Sequence, residues 1–152
     1  MALVAPFLLA LMFGAAELGN YFFNEHILLK GVRDAAIFAS RRDLTMYDCA
    51  SGTVNPTVVS DAKALTRTGQ LTGGTDRLPN WTSGNTTFNV TVTCVTAANG
   101  TTLSGIYKAN NGQVPVITVA AKVPYLSVGH QLGFNATTLN LHASEQAAVV
   151  AI

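Results

Sequence analysis

Charge is scarce in this 152-residue chain: 11% of its residues are Asp, Glu, Lys or Arg, against roughly a quarter in an ordinary soluble domain. The formal net charge is +1 and the densest basic cluster is the pair Arg41-Arg42. No field exists to gather a polyanion, so a nucleic-acid partner is not expected. Disorder is excluded by the opposite imbalance, because 49% of the residues are hydrophobic and an unfolded chain needs low hydropathy with high charge. Sequence signatures of chemistry are missing too. There is no Walker A loop, no Gly-X-Ser-X-Gly elbow, no Cys-X-X-Cys pair and no His-Glu-X-X-His helix. His26, His130 and His142 are scattered, and the i,i+3 spacing of His142 and Glu145 on a strand puts them on opposite faces. Asp61, Asp76 and Glu145 form no near pair, and Asp43 and Asp48 read as solvated loop carboxylates rather than two ligands of one ion. No catalytic, cofactor-binding or metal-ligating residue is expected, and the chain is not expected to be an enzyme.

What the chain does have is a long apolar opening. Residues 2–16 carry no charged side chain, and residues 2–23 carry only Glu17. As a helix the longer stretch measures about 33 Å, the thickness of a bilayer's hydrocarbon. Pro6 is the only proline before Pro56, and near a helix start its fixed φ and missing N–H are tolerated. After Phe23 the pattern becomes amphipathic. Leu28, Val32, Ala35 and Ala39 recur at helical spacing, flanked by Leu29 and Ala36, while the charged residues fall mostly elsewhere on the wheel. Arg41 and Arg42 stand where cations meet the negative end of the helix dipole. The spacing predicts one helix over residues 4–42, lipid-compatible at first and then packed by one face on a globular head. Residues 1–24 form the transmembrane or filament-core half, and residues 25–152 the extracytoplasmic head. Two other readings compete: a signal peptide cut before Glu17 at the small residues Gly14 and Ala16, and a buried core helix.

Beyond Asp48 the composition turns to Thr, Asn, Gly and Val. Residues 87–97 alternate, with Phe88, Val90, Val92 and Cys94 on one face and Asn89, Thr91 and Thr93 on the other. Asn99-Gly100 supplies a hairpin turn from which residues 101–108 return as a strand. Asn110-Asn111-Gly112 offers a further turn. Residues 114–123 form the next strand, with Pro115 marking a strand start or an edge, and residues 138–150 a weaker last one. The head is therefore an antiparallel meander, and the fold class α+β. Residues 66–84, rich in Thr and Gly, read as an irregular loop at the tip of the head. Cys49 and Cys94 either form a staple or remain two buried thiols. Export of the head favours the disulfide, which closes a loop and contributes about 4 kcal/mol in the chain-entropy model. The Asn-X-Thr triplets at Asn80, Asn85, Asn89, Asn99 and Asn135 are read as compositional.

Glu17 asks for an explanation, since a carboxylate facing lipid costs several kcal/mol. Asn20, Tyr21 and Asn24 extend its polar stripe, and Gly14 and Gly19 bracket it with small positions. The stripe reads as a helix-to-helix contact surface, or as a group snorkelling to the head-group boundary, which Tyr21, Phe22 and Phe23 also suit.

The opening resembles the amino-terminal helix of TadE-like proteins, the pilin-related subunits of tight-adherence pili. The residues that carry the resemblance are the ALVAPFLL run with Pro6, the FGAAELGNYF block with Gly14, Glu17 and Gly19, and the GVRDAAIFASRR ending. Members of that family are made as prepilin-like precursors with a short basic leader, a processing glycine and a Glu-Phe before the ALV run; Met1 stands at that place here. The resemblance implies a pilin-like fold and a structural subunit, major or minor, that bundles by its helix with its own copies or with other pilin-like subunits. Such a subunit sits in the inner membrane before assembly and in an extracellular filament afterwards. In the bundle Glu17 would pair with a neighbouring amino terminus or with Asn20 and Asn24 and fix the register, and Gly14 and Gly19 would allow local unwinding. The alternative is a single-pass membrane-anchored module whose loop, residues 66–84, binds a surface or receptor.

Overall fold

One uninterrupted helix of 37 residues, α1 (Val4–Ser40), dominates the computed structural model, which describes residues 4–82, 84–96, 103–129 and 139–150. Pro6 lies in its first turn, where no intrahelical N–H bond is lost, and no later residue interrupts it. Residues 4–16 are exposed on every side. Leu28, Gly31, Val32, Ala35, Ala36, Ala39 and Ser40 are buried, the amphipathic face expected from the spacing. The last turn closes with tight i→i+3 bonds, Arg41 N–H to Phe38 C=O and Arg42 N–H to Ala39 C=O. Arg41 and Arg42 therefore lie just beyond the helix. Arg42 stacks over the Phe38 ring at 4.2 Å and pairs with Asp61 at 3.1 Å, more specific partners than the dipole.

A short 3-10 helix (Leu44–Met46), begun by Asp43, leads into the small hairpin of β1 (Tyr47–Asp48) and β2 (Thr53–Val54). The main sheet consists of β3 (Thr87–Val95), β4 (Val114–Pro124) and β5 (Asn140–Ala148), antiparallel and adjacent in sequence order. Its register runs from Thr87 opposite Lys122 to Val95 opposite Val114, and from Val116 opposite Ala148 to Pro124 opposite Asn140. Alternation along β4 turns Ile117, Val119, Ala121 and Val123 into the core, where Val92, Leu141 and Ala143 join them. α1 lies across this face, parallel to β5: the Tyr21 hydroxyl donates to Asn140 C=O at one end, and Val150 N–H donates to Ser40 C=O at the other. The three buried alanines of α1, Ala35, Ala36 and Ala39, leave room for close packing, and each large aliphatic group sealed in the core contributes about 1.5–3 kcal/mol relative to exposure.

Cys49 and Cys94 are joined, with Cα atoms 5.5 Å apart across 45 residues, tying the small hairpin to β3. Tyr47 beside it is buried and its hydroxyl donates to Ala39 C=O.

Three expectations need correction. Residues 66–68 are not loop but the end of an unforeseen helix, α2 (Pro56–Thr68). Asn55 caps it by accepting from Thr57 N–H, Pro56 opens it, and Gly69 closes it at φ 78°. Residues 105–108 are not strand: Gly105–Asn110 is a 3-10 helix ending at Asn111 and Gly112, both at positive φ, and this is the turn foreseen at Asn110-Asn111-Gly112. Pro115 marks the start of β4, but β4 is the central strand, not an edge. The foreseen Asn99-Gly100 turn, residues 101 and 102, His130, the triplets at Asn99 and Asn135, and residue 138 lie outside the described residues.

α2 buries Val58, Ala62 and Thr66, and it crosses α1 where Thr66 meets Gly31. A Cβ on Gly31 would stand 2.7 Å from the Thr66 carbonyl oxygen. That atom is backbone and cannot swing away, so Gly31→Ala forces the helices apart. The expected cost is about 1–3 kcal/mol, read as a lower midpoint of thermal unfolding. Gly14→Ala, with no atom within 4 Å of the new methyl, should leave the unfolding of the head unchanged.

Candidate assembly site at the junction of helix and head

The face of α1 that packs on the sheet continues toward the amino terminus at the same spacing, through Asn24, Tyr21, Asn20 and Glu17, but there it becomes polar. All four are half-buried. Their cover comes from the segment that follows β4. Tyr125 is 4% exposed, held by its N–H to Leu139 C=O at 2.9 Å, and its ring meets Tyr21 edge-on with centroids 5.2 Å apart.

These groups form a chain of hydrogen bonds. Asn24 Nδ2 donates to the Asn20 carbonyl at 2.8 Å and to Asn20 Oδ1 at 3.2 Å. With its oxygen so engaged, the Asn20 amide turns its Nδ2 to the Tyr125 hydroxyl at 2.8 Å. That hydroxyl donates in turn to the Glu17 carbonyl at 3.3 Å. The Glu17 carboxylate accepts the Gly129 N–H on Oε2 at 3.2 Å, while Oε1 is buried with no partner among the described residues. Glu17, Asn20 and Asn24 thus come together, but on a helix-to-head contact. Tyr125 and Gly129 were invisible to sequence reasoning, because they lie 108 and 112 residues from Glu17 in the chain.

Pro6, Gly14 and Gly19 stand apart from this junction. Pro6 is exposed, and neither glycine has any atom near the place of a Cβ. The helix runs straight through both. Leu18, Phe22 and Phe23 extend the bare apolar surface along the flank facing away from the head.

Among the described residues no three of His, Cys, Asp and Glu gather as metal ligands. Asp43 and Asp48 serve local turns. Asp43 accepts from the backbone and hydroxyl of Thr45, and Asp48 from Ser51 Oγ and Ala50 N–H. These bonds hold both carboxyls below their ordinary range. His142 is exposed and Glu145 half-buried on the other face of β5, as their spacing implied.

Burial pushes the Tyr125 hydroxyl above its ordinary pKa, with Asn20 opposing and the Glu17 carboxylate reinforcing the rise. Burial likewise pushes Tyr47 up to about 12. A raised folded value means that the stabilisation is fully present below the unfolded value of 10.0 and is lost as pH climbs through the folded one. Resistance to denaturant should therefore fall progressively between pH 10 and about 12. Tyr125→Phe should cost about 1 kcal/mol at neutral pH through its lost hydrogen bonds and make the alkaline decline shallower. Adding Tyr47→Phe should flatten it further.

α1 is long and apolar enough to cross a membrane, and its most apolar 18-residue window is bare. No curated protein and no solved structure matches the chain. A family model described as TadE-like protein matches residues 1–36, the bare part of the helix and the turns that first pack on the sheet, and over that length the chain is similar to the TadE-like proteins.

Proposed function

We propose that this protein is a pilin-like structural subunit, held in the inner membrane by α1 before assembly and built through the same helix into an extracellular pilus filament. Its partners are further copies of itself or other pilin-like subunits. The observation that carries the reading is the bare rod: residues 4–16 are exposed and none of the most apolar window is buried among the described residues. Ten large apolar side chains between Val4 and Phe23 are at least half exposed, a surface that requires lipid or other apolar helices around it. In a bundle each rod exchanges one dry environment for another. The similarity of residues 1–36 to TadE-like proteins supports this over a soluble role.

Glu17 sets the depth in this reading. Below it the rod is uniformly apolar, and at it begins the polar stripe clamped by Tyr125 and Gly129. One carboxylate oxygen is satisfied by Gly129 and the other, Oε1, is buried with no partner among the described residues. The carboxylate therefore marks one level along the rod, and a neighbouring apolar helix set at the wrong height would press against it, which is a register constraint. A second reading is a single-pass anchor displaying the head as a binding module. It is favoured by the firm closure of the head onto the helix at Glu17, and it predicts no fibres.

Negative-stain images of the full-length protein after detergent removal should show regular filaments. Leu9→Arg places a cation on the bare rod at a cost of about 3 kcal/mol to membrane insertion. It should abolish membrane retention and filaments while leaving the thermal transition of the head in place. Glu17→Leu should leave the head folded but change filament yield or symmetry. Filaments of wild-type yield and symmetry from Glu17→Leu would remove the register role, and dispersed monomers from the wild-type chain would favour the anchor.

A further inference from the structure

The segment after α2, residues 69–82 and 84–86, is too firmly held for a passive linker. Arg67 engages Asp76 with two nitrogens, Nε and Nη2. Arg77 N–H donates to Arg67 C=O at 2.9 Å, and Thr86 Oγ1 donates to Asn80 C=O at 3.1 Å. Leu78 and Trp81 are 2% and 3% exposed and plug the segment into the core. The result is a fixed cleft of about 260 Å³ between α2 and the start of β3, lined by Lys63, Arg67, Trp81, Thr82, Thr86 and Phe88.

The lining is chemically mixed in a particular way. Trp81 and Phe88 supply apolar aromatic wall, and Thr82 and Thr86 supply hydroxyls. Lys63 and Arg67, one helical turn apart on α2, supply positive charge. Lys63 forms no ion pair among the described residues, and Arg67 Nη1 takes no part in the Asp76 pair. The nearest carboxylates are spent, Asp76 on Arg67 and Asp61 on Arg42. The Trp81 indole N–H is buried with no acceptor among the described residues. The volume lies below that of sites for drug-sized ligands, which limits the occupant to about one six-membered ring. A ring with an apolar face for the aromatics, hydroxyls for the threonines and one carboxylate for the two cations is an acidic sugar.

We propose that this cleft binds the carboxylated pyranose of an acidic glycan, a uronate-type residue, with Lys63 and the free edge of Arg67 on its carboxylate and the Phe88 ring, beside the buried Trp81, under its own ring. Gly31, where α2 crosses α1, lies eight residues beyond Phe23, the last half-exposed apolar side chain of the rod, or about 12 Å along the helix. The cleft therefore stays clear of whatever surrounds the rod, and the proposal holds for a filament subunit and for an anchored module alike.

Trp81 is the only tryptophan in the chain, so intrinsic fluorescence reports on the cleft directly. The full-length protein in detergent micelles is titrated with methyl glucuronide, with methyl glucoside and with sodium acetate. The expected result is a saturable change with the glucuronide alone. Lys63→Ala, at an exposed position of α2, should weaken it about tenfold, the loss of one charge-assisted hydrogen bond, with circular dichroism unchanged. No response to the glucuronide, an equal response to glucoside or acetate, or an unaltered titration of a folded Lys63→Ala protein would each overturn the proposal.

Discussion

A helix closes its own backbone hydrogen bonds, and every other feature of this protein rests on that fact. A strand leaving the core would carry unpaired N–H and C=O groups into whatever lay outside, whereas α1 can run from beneath a sheet into an apolar environment with its backbone satisfied throughout. Only the side chains have to change along the way. They do so in two steps: Leu28 to Ser40 present small and aliphatic groups to β4 and β5, Glu17 to Asn24 present polar groups to Tyr125 and Gly129, and residues 4–16 present apolar groups on all sides. The polar interval is where the one-sided burial of a globular protein gives way to the all-round exposure of the rod.

The head is arranged to hold that helix rather than to enclose it. β5 runs parallel to α1 and is tied to it at both ends, β4 supplies the central row of aliphatic groups, and α2 presses on the opposite flank at Gly31. The disulfide then fastens β3, the strand farthest from β5, back to the chain just past the end of α1. Closing a loop of that length removes about 4 kcal/mol of freedom from the unfolded chain. A sheet of three strands with a single helix across it gains from such a constraint, because one of its faces stays open to solvent. Thr87, Asn89, Thr91 and Thr93 on the open side of β3 are accordingly polar.

Legibility in the sequence followed the range of the interactions. α1, β3 and β4 were readable because period and alternation are local properties of consecutive side chains, and the Cys49–Cys94 bond was the favoured one of two readings because the chain has two cysteines and an apolar opening that implied export. α2 was missed although its punctuation was present: Asn55-Pro56 opens it, Gly69 closes it, and Val58, Ala62 and Thr66 fall at four-residue spacing. Thr, Ser and Lys among these positions diluted the apolar signal, and the burial that rescues them comes from α1. The partners of Glu17 lie 108 and 112 residues away in the chain. No local pattern connects them, so the stripe could be recognised as a contact surface while its contact could not be named. Residues 105–108 failed as a strand because Gly105 and Asn111 both take positive φ, a constraint that polar turn residues permit but do not announce.

The glycines of α1 separate what the single chain needs from what it does not. Gly31 is explained within the molecule, by a carbonyl oxygen that leaves no room for a methyl group. Gly14 and Gly19 are not, since a Cβ at either would meet nothing and each costs the helix about 1 kcal/mol against alanine. Glu17, between them, has one carboxylate oxygen bonded to Gly129 and the other buried with no partner among the described residues. Small positions that admit a close neighbour, two within one and a half turns of an apolar helix, are features an isolated subunit would be better off without. They become favourable together only when another molecule lies against that stretch, which is the condition the proposed assembly supplies.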